Sequence, residues 1–341
     1  MRVEQRSITG FLGQPEVQFV IPVYQRVYSW RRPQLSELWT DLMHAGKSEM
    51  PHFMGTVFYS EEDSHREGLR QLDIIDGQQR MTTFTLLICA LCKHLLETGR
   101  RFNGLDAASL EETYLKPTGC ADACKLVLSR ADAPTLRWIE GLGDRPESEE
   151  EYSELVVEAY EWFLNKLGSE GLDWNVFQRG FEQLYIVSVQ MEDSDRSSTV
   201  FESLNAKGKP LSTQDLVRNY LLMRPEFDGT SYLYDTYWAK VEDAFSVDPD
   251  DSYLAHAIRL WSGSGTVIKD DKGIFDAFKS AFSAKGRDDI EKRAAYLSEF
   301  CIAFHEKIAA GDEEAIKACR EWEENRGKAE RLGNGRKIFG D

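Results

Sequence analysis

The sequence predicts an α+β fold, a small mixed-sheet core followed by a mainly helical half, and three observations carry that prediction. Short apolar runs rich in β-branched and aromatic residues concentrate in the first 75 residues and recur once, around Val187. From Arg196 onward the apolar spacing is helical almost throughout. The segment Leu72-Asp73-Ile74-Ile75-Asp76-Gly77-Gln78-Gln79-Arg80-Met81-Thr82-Thr83 sets a tight polar turn between a short apolar run and a long helical one.

Val17 to Ile21 reads as the first strand, stopped by Pro22. Pro33 to Ala45 reads as a helix with proline in its first turn. Between them, Pro22 to Trp30 is a loop rich in rings and arginine. Gly55 to Ser60 reads as a second strand, and Gly68 to Ile75 includes a third. Gly77 permits a sharp turn before a helix from Thr82 to Leu96. A helical insertion is expected near 100–182, with a helix around Tyr152 to Leu167, and Leu184 to Met191 reads as the last strand. Beyond it, helices are expected at Ser197 to Leu204, Ser212 to Met223, Tyr232 to Phe245, Tyr253 to Trp261, Ile274 to Phe282, Ile290 to Ile308 and Glu313 to Asn325. Ser212 with Asp215 three residues on is close to a capping box. The reading divides the chain into residues 1–222 and a helical region at 223–341.

Composition narrows the function. A chain of 341 residues with 42% apolar residues buries a substantial core, and its apolar runs read as too short to span a bilayer, so no membrane partner is expected. No secretory leader is evident, and six cysteines without a dense framework suit a reducing cytoplasm. Cys89 and Cys92 form a CxxC, and Cys120 with Cys124 a second close pair. The first pair lies inside an apolar run, where cysteines pack as small hydrophobes, so zinc is disfavoured. Net charge −17 argues against indiscriminate nucleic-acid binding, although residues 1–35 carry Arg2, Arg6, Arg26, Arg31 and Arg32 against only Glu4 and Glu16.

A helix that begins after Gly77 leaves backbone N–H groups unpaired and directs its positive end at the turn. Arg80 adds a charged fork suited to phosphate, and Gln78 and Gln79 add neutral donors and acceptors. Asp76 repels a bare phosphate and therefore needs a metal ion, a water or a backbone N–H. On these residues alone, an ordinary turn and a phosphate cradle stay equally open.

Four motifs stand in order: Ile21-Pro22-Val23-Tyr24-Gln25-Arg26-Val27-Tyr28-Ser29-Trp30; His52-Phe53-Met54-Gly55; Ile75-Asp76-Gly77-Gln78-Gln79-Arg80-Met81-Thr82-Thr83; and Phe201-Glu202-Ser203-Leu204-Asn205-Ala206-Lys207-Gly208-Lys209-Pro210-Leu211 with Asp215-Leu216. Over roughly residues 8–222 this resembles the N-terminal domain of GmrSD-type restriction proteins, the DGQQR family or domain of unknown function 262. The resemblance implies a core similar to the ParB and sulfiredoxin nucleotide-binding fold, binding and hydrolysis of a nucleoside triphosphate (GTP, ATP or UTP) with Mg²⁺, and anti-phage defence against modified DNA, including phosphorothioate DNA. It implies catalytic roles for Asp76, Gln78, Gln79 and Arg80, with Asp76 also holding the metal. Nucleotide contacts would fall to Tyr24, Gln25, Arg26, Gly77, Thr82, Thr83, Asn205, Lys207 and Gly208, although the Tyr24–Trp30 loop reads either as a wall of the nucleotide pocket or as a DNA-facing reader. Tyr28 and Trp30 read as core, and Asp215 reads equally as a ligand or a helix cap.

Family members frequently carry an HNH nuclease. None of His44, His52, His65, His94, His256 and His305 stands in such a pattern. The expected nuclease is a separate partner or a domain beyond Asp341, and a homo-oligomer is compatible with the reading. The principal alternative is a non-enzymatic nucleotide- or DNA-binding switch for a partner nuclease, and a helical interaction scaffold is a weaker one.

Overall fold

Val17, Phe19, Leu72, Ile74 and Ile186 are the residues that periodicity places in strands, and all are buried around a six-stranded mixed sheet. The computed structural model describes residues 2–23, 25–61, 69–120, 122–130, 132–148, 151–191, 212–222, 231–245, 252–263, 270–284, 286–315 and 317. The chain divides into two compact units, residues 1–196 and 197–341.

The first unit runs β1 (Arg2–Ser7), α1 (Ile8–Leu12), β2 (Val17–Val20), α2 (Arg32–Ser48), β3 (His52–Glu61), β4 (Arg70–Asp76), α3 (Gln78–Thr98), α4 (Ala107–Tyr114), β5 (Leu126–Val127), α5 (Asp132–Ile139), α6 (Glu154–Leu167), α7 (Trp174–Gln183) and β6 (Leu184–Met191). Strand order is β1-β6-β3-β4-β2-β5. β2 is parallel to β4 and β5, β3 is parallel to β6 and antiparallel to β4, and β1 closes one edge antiparallel to β6. The expected strands are present, with β3 starting three residues earlier than its apolar run.

β1 and β5 were not expected. β1 has one apolar residue in its register, Val3, and exists because its whole length pairs with β6, from Arg2 opposite Gln190 to Ser7 opposite Tyr185. Its alternate residues Arg2, Glu4 and Arg6 share one face, and Glu4 meets Arg2 at 2.6 Å and Arg6 at 3.5 Å. Two of the five arginines behind the positive N-terminal balance are thus spent on an acid of their own strand, as suits an edge that must resist further pairing.

α3 is the central helix. It begins at Gln78, four residues before the apolar periodicity indicates, and ends at Gly99, which takes a left-handed φ of 67°. By length and composition it could cross a membrane, which corrects the expectation that no apolar run is long enough; here 78% of its most apolar window is buried in the unit. Phe84 meets Phe181 at 4.8 Å between ring centroids, and Phe102 meets Phe181 at 5.0 Å. Burial of a ring such as Phe84 contributes on the order of 2–3 kcal/mol.

α2 and α7 pack with backbones almost in contact. A Cβ on Gly46 would lie 1.9 Å from the Val176 carbonyl oxygen, and one on Gly180 would lie 2.0 Å from that of Leu42. Trp39 stacks on Phe177 beside this crossing, at 5.4 Å.

The second unit is helical in its described residues: α8 (Thr213–Leu222), α9 (Ser231–Leu233) continuing through a π-helical turn (Tyr234–Trp238) into α10 (Ala239–Ala244), α11 (Ser252–Trp261), α12 (Asp271–Ala281) and α13 (Arg287–Ala309). Tyr220 of α8 meets Phe275, Phe278 and Phe282 edge-on. The helix expected at 197–204 and most of that expected at 313–325 lie outside the described residues.

Candidate functional site

Parallel pairing of β2 with β4 brings the chain leaving each strand to the same sheet edge, and antiparallel pairing of β3 with β4 brings the start of β3 there too. Three of the four sequence motifs therefore meet at one edge, where open sheets of this kind hold ligands. The fourth motif's Asn205, Lys207 and Gly208, and Tyr24 of the first, lie outside the described residues.

Gly77 forms the turn, with φ 100° and ψ 5°. A side chain there would be strained by its φ and would meet Val57 at 3.0 Å and the Thr56 carbonyl at 3.2 Å. The helix start at Gln78 corrects the sequence reading: Gln78, Gln79 and Arg80 are the first helical turn, not a loop before it. No side chain caps this start. Asp76, the last residue of β4, accepts a hydrogen bond from the Gly77 N–H. Burial raises its carboxyl above the ordinary value, while Arg80, that N–H and Arg26 pull the other way.

Arg80 crosses to β3, where its Nη1 donates to the Thr56 carbonyl at 2.8 Å. Gly55, at φ 109°, makes room: a Cβ there would stand 2.7 Å from the Arg80 Cζ. The β3–β6 register shifts between Phe53 and Thr56, so a bulge sets this approach.

The Pro22–Trp30 loop is fastened by five side chains. Gln25 Nε2 donates to the Ile75 carbonyl at 2.7 Å, beside Asp76. Gln79 Oε1 accepts from the Ser29 N–H at 2.8 Å, and its Nε2 donates to the Val27 carbonyl at 3.2 Å. Asp132 accepts from the Tyr28 N–H at 2.6 Å, and the Tyr28 and Thr83 hydroxyls share a hydrogen bond of 2.8 Å. Gln25, Gln79, Thr82 and Thr83 are all buried. Gln79 and Gln25 thus use their described contacts to lock the loop onto the turn, and Thr83 serves the core beneath it. Tyr28 is core as expected, and burial raises its hydroxyl pKa.

Two polar groups remain unspent. Arg26 has a buried Nε without a hydrogen-bond partner among the described residues, and it lies near enough to Asp76 to act on its charge. Gln78 is 7% exposed, and its side-chain amide makes no hydrogen bond among the described residues.

A cavity of about 250 Å³ opens beside the turn. α2 contributes Gln34, Glu37, Leu38 and Asp41, one helical face by spacing; β3 contributes His52, Phe53 and Met54; Trp30 and Arg80 complete it. His52 Nε2 lies 3.3 Å from Asp41 Oδ2. The sequence reading did not single out Glu37 and Asp41, whose only signal was polar spacing on the otherwise apolar-faced α2.

Elsewhere, Asp215 caps α8: Ser212 N–H donates to its carboxylate at 3.4 Å, and its own N–H donates to Ser212 Oγ at 3.2 Å. Its carboxylate also binds Arg218 at 3.1 Å, and Arg218 pairs with Glu242. Among the described residues no cluster of histidine, cysteine and acid could hold a metal ion. Burial keeps Cys89 and Cys124 as thiols and pushes the Cys92 thiol up to about 12.

The family model described as the GmrSD restriction endonuclease N-terminal domain matches residues 8–222, a span holding all four motifs. Comparison with curated proteins gave no match.

Proposed function

This chain belongs to the family of GmrSD restriction endonuclease N-terminal domains, and from that premise we propose that it binds and hydrolyses a nucleoside triphosphate at the turn Asp76 to Arg80. Membership makes it a component of a modification-dependent restriction system. In the proposed cycle, hydrolysis couples recognition of modified DNA to control of a nuclease. Net charge −17 favours selective contact with DNA over phosphate attraction spread across the surface.

One observation carries the reading: Arg26 and Arg80, from separate motifs, both act on Asp76 at the uncapped start of a 21-residue helix. An anion there meets unpaired N–H groups, the positive helix end and two guanidinium groups. Asp76 is the single acid in the stretch Asp76 to Arg80, which suits Mg²⁺ brought in on the phosphates, because that ion takes few protein ligands. Held by Asp76, that ion would neutralise phosphate charge. Asp76 accepts the proton of the attacking water as its oxygen bonds to the terminal phosphorus. The bond to the bridging oxygen breaks, and inorganic phosphate and nucleoside diphosphate leave. In this reading the amide of Gln78 orients that water, and Arg80 stabilises charge on the transferred group.

Phosphate release from GTP, ATP, UTP and CTP with Mg²⁺, with and without DNA, tests the reading. Arg80→Ala is expected to lower release by on the order of 10³-fold. Wild-type silence under every condition overturns the enzymatic claim.

A further inference from the structure

We propose that the cavity between α2 and the start of β3 receives the base of the nucleotide and selects guanine through Glu37 and Asp41. This rests on the nucleotide reading above and adds base identity to it. At about 250 Å³ the cavity falls below the roughly 300–1,000 Å³ of pockets that enclose a drug-sized ligand, so it suits a ring system rather than a whole nucleotide. Its polarity has a direction. Arg80 belongs both to the cavity wall and to the phosphate turn, whereas the α2 wall carries two carboxylates that repel phosphate. A molecule anionic at one end and rich in donors at the other fits that gradient.

The donor inventory picks the base. Carboxylates only accept, and guanine alone among the four common bases presents adjacent N1–H and N2–H₂ donors on one edge. Glu37 has no partner among the described residues, and Asp41 gives one oxygen to His52 while the other stays available. Gln34 spends its Oε1 on the Arg31 N–H at 3.0 Å, which leaves its NH₂ to donate to O6. Adenine would set its N1 acceptor against these acceptors, and cytosine and uracil carry fewer donors. Trp30 and Phe53 are the rings in its wall, and aromatic side chains stack on bases.

The test compares kcat/KM and affinity of the full chain for GTP, inosine triphosphate (which lacks only the 2-amino group), ATP and UTP. Hydrogen bonds to a charged partner predict about 10-fold or greater preference for GTP over inosine triphosphate. Glu37→Gln and Asp41→Asn are expected to shrink that preference to about twofold with folding intact by circular dichroism. Equal use of GTP and inosine triphosphate by the wild type, or an equal loss for all four nucleotides in both variants, overturns the base assignment while the phosphate reading stands. If wild type prefers GTP but Arg80→Ala keeps full turnover, the phosphate reading fails and the base pocket survives.

Discussion

Asp76 and Glu140 are both acids whose burial raises the pKa, and they are resolved in opposite ways. Asp76 keeps two arginines and a backbone N–H against it, so its charge has compensation at hand. Neither carboxylate oxygen of Glu140 has a hydrogen-bond partner of normal geometry among the described residues, and burial, with Glu111 adding to it, pushes its carboxyl up to about 8 against the opposing influence of Cys124, Lys116 and Arg137. Its surroundings include the Cys89, Cys92 and Cys124 thiols, themselves held protonated. One corner is ionic, and the other is a polar cluster of protonated groups that packs. Cations act on both acids, Arg80 and Arg26 on Asp76 and Lys116 and Arg137 on Glu140, so what separates them is position: Asp76 stands at a strand-to-helix turn with a backbone N–H on its carboxylate, and Glu140 stands among buried thiols.

The sharpest break in that comparison is functional. Asp76→Asn retains the acceptor for the Gly77 N–H but cannot take a proton, and turnover is expected to fall roughly 10²- to 10⁴-fold. Glu140→Gln should leave turnover unchanged, and steady-state phosphate release on both variants checks the pair.

The next effect is on stability against pH. Glu140 is protonated in the folded chain up to about 8, whereas its ordinary value is 4.5. Between these values the unfolded state binds fewer protons, so its contribution is fully present below about pH 4.5 and is lost as pH rises toward 8. Glu140→Gln should remove that loss, on the order of 3 kcal/mol at the alkaline end. Urea unfolding from pH 5 to pH 8 measures it, and parallel curves for wild type and variant would contradict the assignment.

The smallest effect sharpens the ionic corner itself. Gly55→Ala forces a side chain into a left-handed backbone and against the Arg80 guanidinium. A cost of about 1–3 kcal/mol is expected from the backbone. Displacement of Arg80 should also lower turnover about tenfold, the effect of losing a little over 1 kcal/mol of positioning. Thermal melts alongside kinetics separate the two, and a variant that is destabilised but fully active would detach Arg80 from the reaction.

Much of this was legible in the chain. Leu184 to Met191 alternates and branches as a strand must, and Gly77 stands where a strand turns sharply into a helix. The capping box at Ser212 and Asp215 also follows from local spacing alone. The start of α3 was misplaced because apolar periodicity begins at the buried face, and the polar residues Gln78 to Arg80 give no such signal while still being helical. β1 was missed because an edge strand made of Arg, Glu and Gln has no propensity of its own and forms on β6.

The sequence by itself determined the order of motifs, the sharp turn at Gly77 and the helical character of the described residues of the second half, since turn and helix each depend on residues a few positions apart. Only the tertiary structure decided that Gln79 faces the Val27–Ser29 loop, that Gly55 admits Arg80, and that Glu37 and Asp41 share a cavity with it. Those contacts join residues some 25 to 50 positions apart, and strand register and helix packing, which no local pattern encodes, bring them together.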